Sequence, residues 1–181
     1  KAPQVLGVDC EPDMVEAAEK NTCKLGLEHM FQVRQLDVQN IRSVPDIVAG
    51  SFDLAVCNPP YRELTQGRQP RNERRRRACF EYPTQLPEFL RAAAYGVKNR
   101  GRVGVVYLAE RLSVMLHALT RCRLEPKHVR LVHRSQKTSA NLVLISAVKE
   151  GRPGLQVDPP VFLDSPEELT TLCPLLPRGI H

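Results

Sequence analysis

The chain has 181 residues, 42% of them hydrophobic and 25% charged, which are ordinary proportions for a globular domain with its own core. No apolar run approaches the roughly 20 residues of a membrane-spanning helix, and the segment after Lys1 does not resemble a signal peptide. The six cysteines form no CxxC pair and no His cluster accompanies them. This argues against a zinc site or a disulfide framework and fits a reducing cytoplasm.

The net charge of +6 is concentrated in one segment, residues 62–77, which holds seven arginines and two glutamates and so contributes 7 − 2 = +5. The arginines are Arg62, Arg68, Arg71, Arg74, Arg75, Arg76 and Arg77. A localised positive segment is typical of proteins that bind phosphate groups. A solvated loop with incidental charge explains the same composition equally well.

In the first third of the chain, short apolar runs alternate with a helical pattern. The strands are predicted at 5–9, 31–36 and 51–57. A helix is expected from Pro12, because proline suits a first turn and the neighbouring acids complement the helix dipole. Gly26 is its expected stop.

The remainder is predicted to contain a loop at 62–78, helices at 86–98 and 110–121, and strands at 102–108, 129–132 and 141–148. Residues 99–101 are expected to end the first of these helices, and the last two strands to form a hairpin at a sheet edge. After Gly151 the chain is rich in proline, which predicts an irregular tail with at most one short strand, at 161–163.

Alternating strands and helices favour a mostly parallel sheet covered on both faces. Ligands bind outside the carboxyl ends of the strands in such sheets. Asp9, Asp37 and Asn58 all stand at predicted strand ends, and we therefore expect them to belong to one site.

The motif Asn58-Pro59-Pro60-Tyr61 is suited to methylation of an amino group conjugated to a ring. The Asn58 side-chain oxygen and the Pro59 carbonyl can each accept one N–H bond, which draws the nitrogen toward tetrahedral geometry and stabilises the developing positive charge. Pro60 stiffens the turn, and Tyr61 offers a face on which a planar group can stack. In isolation the four residues would signal only a turn.

The two strand-end aspartates have roles suited to a nucleoside cofactor. Asp9 can accept both hydroxyls of a ribose, as acids do in dinucleotide-binding folds, and Asp37 can accept a hydrogen bond from an adenine amino group. A helix cap for Asp9 and a turn residue for Asp37 are the structural alternatives, although Glu11 and Asp13 fit the capping role better.

The arginine-rich segment directly follows the Asn58 turn, which favours a nucleic-acid partner contacted through its phosphates. A second basic stretch, interleaved with apolar residues, extends this surface or reflects ordinary strand exposure. It consists of Arg121, Arg123, Lys127, His128, Arg130, His133 and Arg134.

The runs 5–14 and 57–61, with Asp37 between them, resemble class I S-adenosylmethionine-dependent methyltransferases of the amino-methylating group. Residues 123–132, 140–144 and 149–155 are more specific and resemble the bacterial tRNA(Val) adenine-N6 methyltransferase family. The resemblance runs from about 5 to 160. It implies S-adenosylmethionine as cofactor and a tRNA anticodon-loop adenine as substrate.

The resemblance also implies which residues act. Asn58, Pro59, Pro60 and Tyr61 would form the catalytic turn, and Asp9, Cys10, Asp37, Val38 and Asn58 would contact the cofactor. Independently of the resemblance, the charge of the seven arginines and the aromatic ring of Tyr61 lead us to expect that they contact the nucleic acid, and no metal or membrane is expected. The oligomeric state is not predicted.

The implied fold is α/β and Rossmann-like, with a methyltransferase domain over 1–150 and a Pro-rich tail over 151–181 that packs on the domain or extends it. Two features depart from the family. Residues 78–81 match the family's Ala-Arg-His-Glu-like segment only at their ends. The first strand and the Gly-rich loop that receives the methionine part of the cofactor are also not in this chain, and we expect them upstream of Lys1.

Other readings remain open from the sequence. The same turn suits adenine in DNA, guanine in rRNA or glutamine in proteins. A different class, a non-catalytic nucleic-acid-binding module without the cofactor loop, is the remaining alternative.

Overall fold

The computed structural model describes residues 4–59 and 85–164, together with the backbone of 62–63 and 80–81. The chain divides into two compact units, Lys1–Ile47 and Val48–His181. Each unit has its own sheet.

The first unit is a short α/β segment around a parallel strand pair. Its elements are β1 (Val5–Asp9), α1 (Pro12–Lys24), β2 (Phe31–Gln35) and a 3₁₀ helix (Val38–Ser43). β1 and β2 pair in parallel, with Val5 opposite Phe31 and Asp9 opposite Gln35. The strands and the helix were predicted from the sequence, and the 3₁₀ helix was not.

Helix α1 follows the predicted start and stop signals. Pro12 occupies its first turn beside the acidic Asp13, where the missing N–H of proline costs nothing. Val15 is buried on the inner side of the helix. The helix ends at Lys24, and Gly26 follows with φ of 65°, a backbone conformation that favours glycine.

The second unit carries the larger sheet. Its elements in chain order are β3 (Phe52–Cys57), β4 (Arg62–Glu63), β5 (Phe80–Glu81), α2 (Gln85–Gly96), β6 (Val97–Leu108), a 3₁₀ turn (Ala109–Arg111), α3 (Leu112–Arg121), β7 (Leu124–His133), β8 (Ala140–Lys149), β9 (Gln156–Val157) and β10 (Val161–Phe162). The strand order is β3-β6-β8-β7, with β9 and β10 both paired to the outer edge of β7. β4 and β5 form a separate parallel pair.

Strand directions place the carboxyl ends of β3, β6 and β7 at one edge of this sheet. β3 is parallel to β6, and β8 is antiparallel to both β6 and β7. β7 therefore runs in the same direction as β3. The predicted antiparallel hairpin is confirmed as β7 and β8, and both strands are longer than the sequence indicated.

The core of the second unit lies between the sheet and helices α2 and α3. Alternate residues of β6 and β8 are buried, as expected for strands that face a core on one side. The side chains that are less than 2% exposed include Leu90, Val97, Val103, Tyr107, Met115, Leu119, Leu124 and Val143.

Helix α2 ends at Gly96, two residues before the predicted end at Lys98. The N–H of Gly50 donates to the carbonyl oxygen of Tyr95 at 2.9 Å, a tertiary contact that satisfies one of the last carbonyls of the helix. β6 then begins at once. Gly101, which was expected to stop the helix, lies within β6, at a close approach of the backbone where a Cβ would lie 2.8 Å from the carbonyl oxygen of Lys98.

The segment after Gly151 contains two short strands, so the expectation of at most one was wrong. Buried Asp158 stands between β9 and β10 and fastens this segment to β7. Its N–H donates to the carbonyl of Val129 at 2.8 Å, and its carboxylate accepts from Gln156 Nε2 at 2.7 Å and approaches His128 Nδ1 at 3.3 Å. The division of the chain at residue 150 remains a prediction, and residues 165–181 lie outside the described part.

Candidate active site

The Asn58 turn stands at the carboxyl end of β3, where the sequence predicted it. Cys57, the last residue of the strand, packs against the core. Asn58 is exposed, whereas the ring of Pro59 is fully buried. The buried ring, whose φ is fixed, anchors the turn and leaves the Asn58 amide open to a ligand.

The Cys57 thiol is part of this anchor and not a nucleophile. Burial raises its pKa from the ordinary value of 9.0 to about 12. Since only the thiolate is nucleophilic, Cys57 is inert at neutral pH. Its contribution to the site is packing beneath Asn58.

Asp9 is the last residue of β1. Its carboxylate is exposed and also stabilises the turn that follows the strand. Oδ1 accepts a hydrogen bond from the N–H of Glu11 at 2.9 Å. Glu11 occupies the N-cap position of α1 without a side-chain capping bond, and Asp13 is the acid of the first turn. No further hydrogen bond to the Asp9 carboxylate occurs within the described residues, and an ionised carboxylate has about four acceptor sites.

Asp37 repeats this arrangement after β2. It is the N-cap of the 3₁₀ helix that begins at Val38, and its Oδ1 accepts from the N–H of Gln39 at 3.0 Å. The residue is exposed and Val38 is half-buried. Their roles as cofactor contacts remain predictions.

Cys10 lies beside both aspartates within the first unit. Cys10 is exposed, yet partial desolvation is the main cause that raises the pKa of its thiol, and the charges of Asp9, Glu11 and Asp37 raise it further. The carbonyl of Cys10 accepts from Gln35 Nε2 at 3.3 Å. The structure thus brings Asp9, Cys10 and Asp37 into one acidic cluster at the carboxyl ends of β1 and β2.

Several predicted site residues fall outside the described residues. They are Pro60, Tyr61, Arg68, Arg71, Arg74, Arg75, Arg76 and Arg77. Arg62 is described only as backbone of β4, so the first two residues of the predicted loop form a short strand. The role of these residues in binding nucleic acid stays a prediction.

The second basic stretch of the sequence is split by the fold. Arg121 and Arg123 precede β7 and Arg134 follows it, so its two ends lie at opposite ends of a ten-residue strand. Sequence analysis missed Lys137, which stands with Arg134 in the β7–β8 connection. The absence of any acidic residue between positions 126 and 149 is the signal that could have revealed it.

Neither a metal site nor a membrane span is found in the described ranges. No group of three or more His, Cys, Asp and Glu side chains there could hold a metal ion. Among the helices of those ranges, none is long and apolar enough to cross a membrane.

Comparison with known proteins identifies the family. Residues 1–140 match the family described as UPF0020: RMKL-like, methyltransferase domain. The chain belongs to this family. The match includes Asp9, Asp37 and Asn58, so the exposed strand-end side chains lie within the methyltransferase domain.

A curated relative of this methyltransferase-domain chain is the tRNA1(Val) (adenine(37)-N6)-methyltransferase of Haemophilus influenzae strain PittGG. The two sequences are 32% identical over 103 residues, which are 57% of this chain and 42% of the relative. The match therefore spans less than half of the relative's length. This similarity agrees with the resemblance noted from the sequence.

Solved structures of methyltransferases share the fold. A predicted O-methyltransferase from Agrobacterium tumefaciens superposes with a TM-score of 0.67 at 16% identity, over 88% of this chain and 68% of that one. A SAM-dependent methyltransferase from Aquifex aeolicus gives 0.54 at 14% identity, over 81% and 69%. The predicted Rossmann-like class I methyltransferase fold is confirmed.

Proposed function

We propose that this protein is an S-adenosylmethionine-dependent N-methyltransferase that acts on the exocyclic amino group of adenine in RNA, with tRNA as the substrate. The observation that carries the proposal is the Asn58 turn, in which an exposed amide follows a parallel strand and is fixed by a buried proline ring. The similarity to a tRNA adenine-N6 methyltransferase supports the choice of base and of RNA.

The acidic cluster fits a nucleoside cofactor. Each aspartate has one oxygen fixed by a backbone N–H, which orients the carboxylate and leaves its other oxygen as an acceptor. Asp9 would bind the ribose hydroxyls and Asp37 the adenine amino group of S-adenosylmethionine, with Cys10 and Val38 beside them. When bound, this cofactor supplies a methyl group already activated by its sulfonium.

The task left to Asn58 and Pro59 is to orient the acceptor nitrogen. The Asn58 side-chain oxygen and the Pro59 carbonyl would each accept one hydrogen of the adenine NH₂, so that the nitrogen lone pair points at the methyl carbon. As the nitrogen acquires positive charge, both acceptors bind it more strongly, which lowers the barrier. The extra proton then leaves the nitrogen for solvent, and no strong base is required.

The nucleic-acid substrate would be held by positive charge beside the turn. Residues 62–77 supply seven arginines directly after Asn58, and Tyr61 supplies an aromatic face for stacking. Phosphate contacts of this kind give affinity without sequence choice. An RNA substrate also agrees with the reducing cytoplasm expected from the cysteines.

The test is transfer of a labelled methyl group from S-adenosylmethionine to tRNA by the protein expressed from its natural start. We expect the label to be lost on RNase treatment and kept on DNase or protease treatment, and to be recovered as N6-methyladenosine. Loss of label on DNase treatment, or its recovery in protein, would replace RNA by another substrate. If no label is transferred to RNA, DNA or protein while the protein still binds RNA, the non-catalytic nucleic-acid-binding module is favoured.

A further inference from the structure

We propose that the connection between β7 and β8, residues 134–139, contacts the phosphodiester backbone of the substrate through Arg134 and Lys137. The proposal rests on the proposed function and deepens it, since it adds a second cationic contact apart from the arginine-rich segment. Three observations on the second unit carry it: charge, fixed conformation and position relative to Asn58.

Most of the β7–β8 hairpin, from residue 126 to residue 149, lacks acidic residues. Residues 126–149 contain no Asp or Glu, and their Lys and Arg residues are Lys127, Arg130, Arg134, Lys137 and Lys149. The excess of +5 equals that of residues 62–77. A charge of one sign over a continuous segment of the chain is the electrostatic feature expected where a polyanion binds.

The cations away from the tip have partners within the fold. Lys127 Nζ donates to backbone carbonyls of the segment that follows the hairpin. Arg130 lies 4.0 Å from the buried carboxylate of Asp158. Lys149 Nζ donates to the carbonyl of Val97 at 2.9 Å. These contacts give Lys127, Arg130 and Lys149 a role within the fold.

The two cations at the tip are different. Arg134 and Lys137 are exposed, and neither forms an ion pair with a residue that the structure describes. Their charges are therefore open to solvent and to a ligand. Exposed charge of this kind contributes little to stability, so the fold itself does not account for it.

The connection that carries them has a fixed conformation. The N–H of Ser135 donates to Thr138 Oγ1 at 3.1 Å, and the Thr138 hydroxyl donates back to the carbonyl of Ser135 at 2.9 Å. His133 Nδ1 contacts the carbonyl of Thr138 at 2.8 Å. A connection held in this way presents Arg134 and Lys137 with little loss of backbone entropy on binding.

The sheet register places this connection at the same edge as Asn58. Cys57 is level with Val105 of β6, which is level with Ile145 of β8 and so with Val129 of β7. Asn58 is one residue beyond this level, and Arg134 is five residues beyond it. Asn58 and Arg134 are therefore on the order of 20 Å apart. This distance follows from three strand spacings of about 4.8 Å across the sheet and a rise of about 3.3 Å per residue along the strands.

A separation of this size suits a contact to the strand that carries the target base. The base occupies the Asn58 turn while a phosphate some nucleotides away reaches Arg134 and Lys137. The ligand chemistry that fits is thus the phosphodiester backbone of a nucleic acid, held at two places on one edge of the sheet.

The test compares two double variants that each remove two positive charges. Arg134→Gln with Lys137→Gln removes the tip charges. Arg121→Gln with Arg152→Gln removes exposed charges that flank the opposite end of the hairpin, one at the end of α3 and one after β8, and serves as the control. Binding of unmodified tRNA is measured over a range of salt concentrations, and thermal unfolding checks that both variants are folded.

We expect the tip variant to bind tRNA about tenfold more weakly than the control and to reduce the slope of log K against log salt by roughly 1.4–1.8, the value for two lost phosphate contacts. The kcat at saturating tRNA should be unchanged. Equal binding and equal slopes for the two variants would overturn the inference. Stronger binding of an acidic polypeptide than of RNA, lost in the tip variant, would also overturn it.

Failure of the enzymatic proposal and failure of the phosphate contact give different experimental results. If the wild type binds tRNA with the expected dependence on Arg134 and Lys137 but transfers no methyl group, the phosphate contact stands and the enzymatic proposal falls. If the wild type methylates tRNA and the tip variant binds like the control, the enzymatic proposal stands and the phosphate contact falls.

Discussion

Asp9 and Asp37, near the ends of neighbouring parallel strands, make the same local bond: Oδ1 of each accepts a hydrogen bond from the backbone N–H two residues ahead, from Glu11 at 2.9 Å and from Gln39 at 3.0 Å. Each bond fixes the carboxylate at the end of its strand. The structural and the cofactor-binding interpretations of these residues are therefore compatible, because one oxygen serves the turn and the other remains for a ligand.

Replacement of Asp9 by Asn separates the two roles. The Asn side-chain oxygen can still accept the Glu11 N–H, so stability should change little, whereas the charge that binds the ribose is lost. We expect binding of S-adenosylmethionine to weaken by ~1.5–3 kcal/mol, roughly 10- to 150-fold, measured by calorimetry. Asp13→Asn removes a charge from the same helix start and should bind the cofactor like the wild type.

Replacement of Asp9 by Ala removes both roles. Loss of the bond to Glu11 should lower the free energy of unfolding by about 1 kcal/mol, in addition to the loss of cofactor affinity. Urea denaturation of the Ala and Asn variants measures the difference. Equal stability of the two variants would show that the Oδ1 bond does not contribute.

The pH dependence of stability should reflect the Cys57 thiol. The folded state keeps its proton up to about pH 12, whereas an unfolded chain releases it near the ordinary value of 9.0. Between these values the folded state binds more protons, so this contribution is fully present below pH 9 and falls as the pH rises, by about 1.4 kcal/mol per unit.

The comparison protein for this prediction is Cys57→Ala. Its free energy of unfolding should differ from that of the wild type by a constant amount below pH 9, and the difference should shrink at higher pH. Denaturant unfolding at pH 8, 9.5 and 10.5 provides the measurement. A difference that is independent of pH across this range would contradict the buried, protonated thiol.

The buried Asp158 should contribute to the stability of the second unit. Its Ala variant leaves Gln156 Nε2 without its acceptor and removes the carboxylate beside His128, so we expect a loss of about 1–3 kcal/mol in urea denaturation. Asp164→Ala, at an exposed position of the same segment, should change stability by less than about 0.5 kcal/mol. Comparable losses of stability in Asp158→Ala and Asp164→Ala would contradict the role of Asp158 in holding this segment on β7.

The parts of the fold that follow from local patterns were predictable. β1, α1 and β2 have the periodicity and end signals of their type, and the structure reproduces them within a residue or two. The positions of Asp9 and Asn58 followed from the same patterns, because each residue directly ends or follows an apolar strand.

The features that sequence missed depend on contacts between distant residues. Helix α2 ends at Gly96 because Gly50, far away in the chain, satisfies the carbonyl of Tyr95. β9 is only two residues long and exists through its pairing with His128 and Val129 of β7. Hydropathy patterns along the chain do not predict such contacts between distant residues.

The separation of the two ends of the second basic stretch was also not predictable from the sequence. Arg121 and Arg134 are close in sequence, but the length of β7 separates them. Only the strand directions show that Arg134 shares an edge with Asn58. The exposed position of Arg134 and Lys137 could therefore be assigned a role only once the register was known.

The most direct measurement is the rate of methyl transfer from labelled S-adenosylmethionine to tRNA, at saturating concentrations of both, for wild type, Asn58→Ala and the exposed control Asn99→Ala. We predict a fall in kcat of about 10²- to 10³-fold for Asn58→Ala, and wild-type activity for Asn99→Ala. Undiminished transfer by Asn58→Ala would contradict the role of the exposed amide at the end of β3.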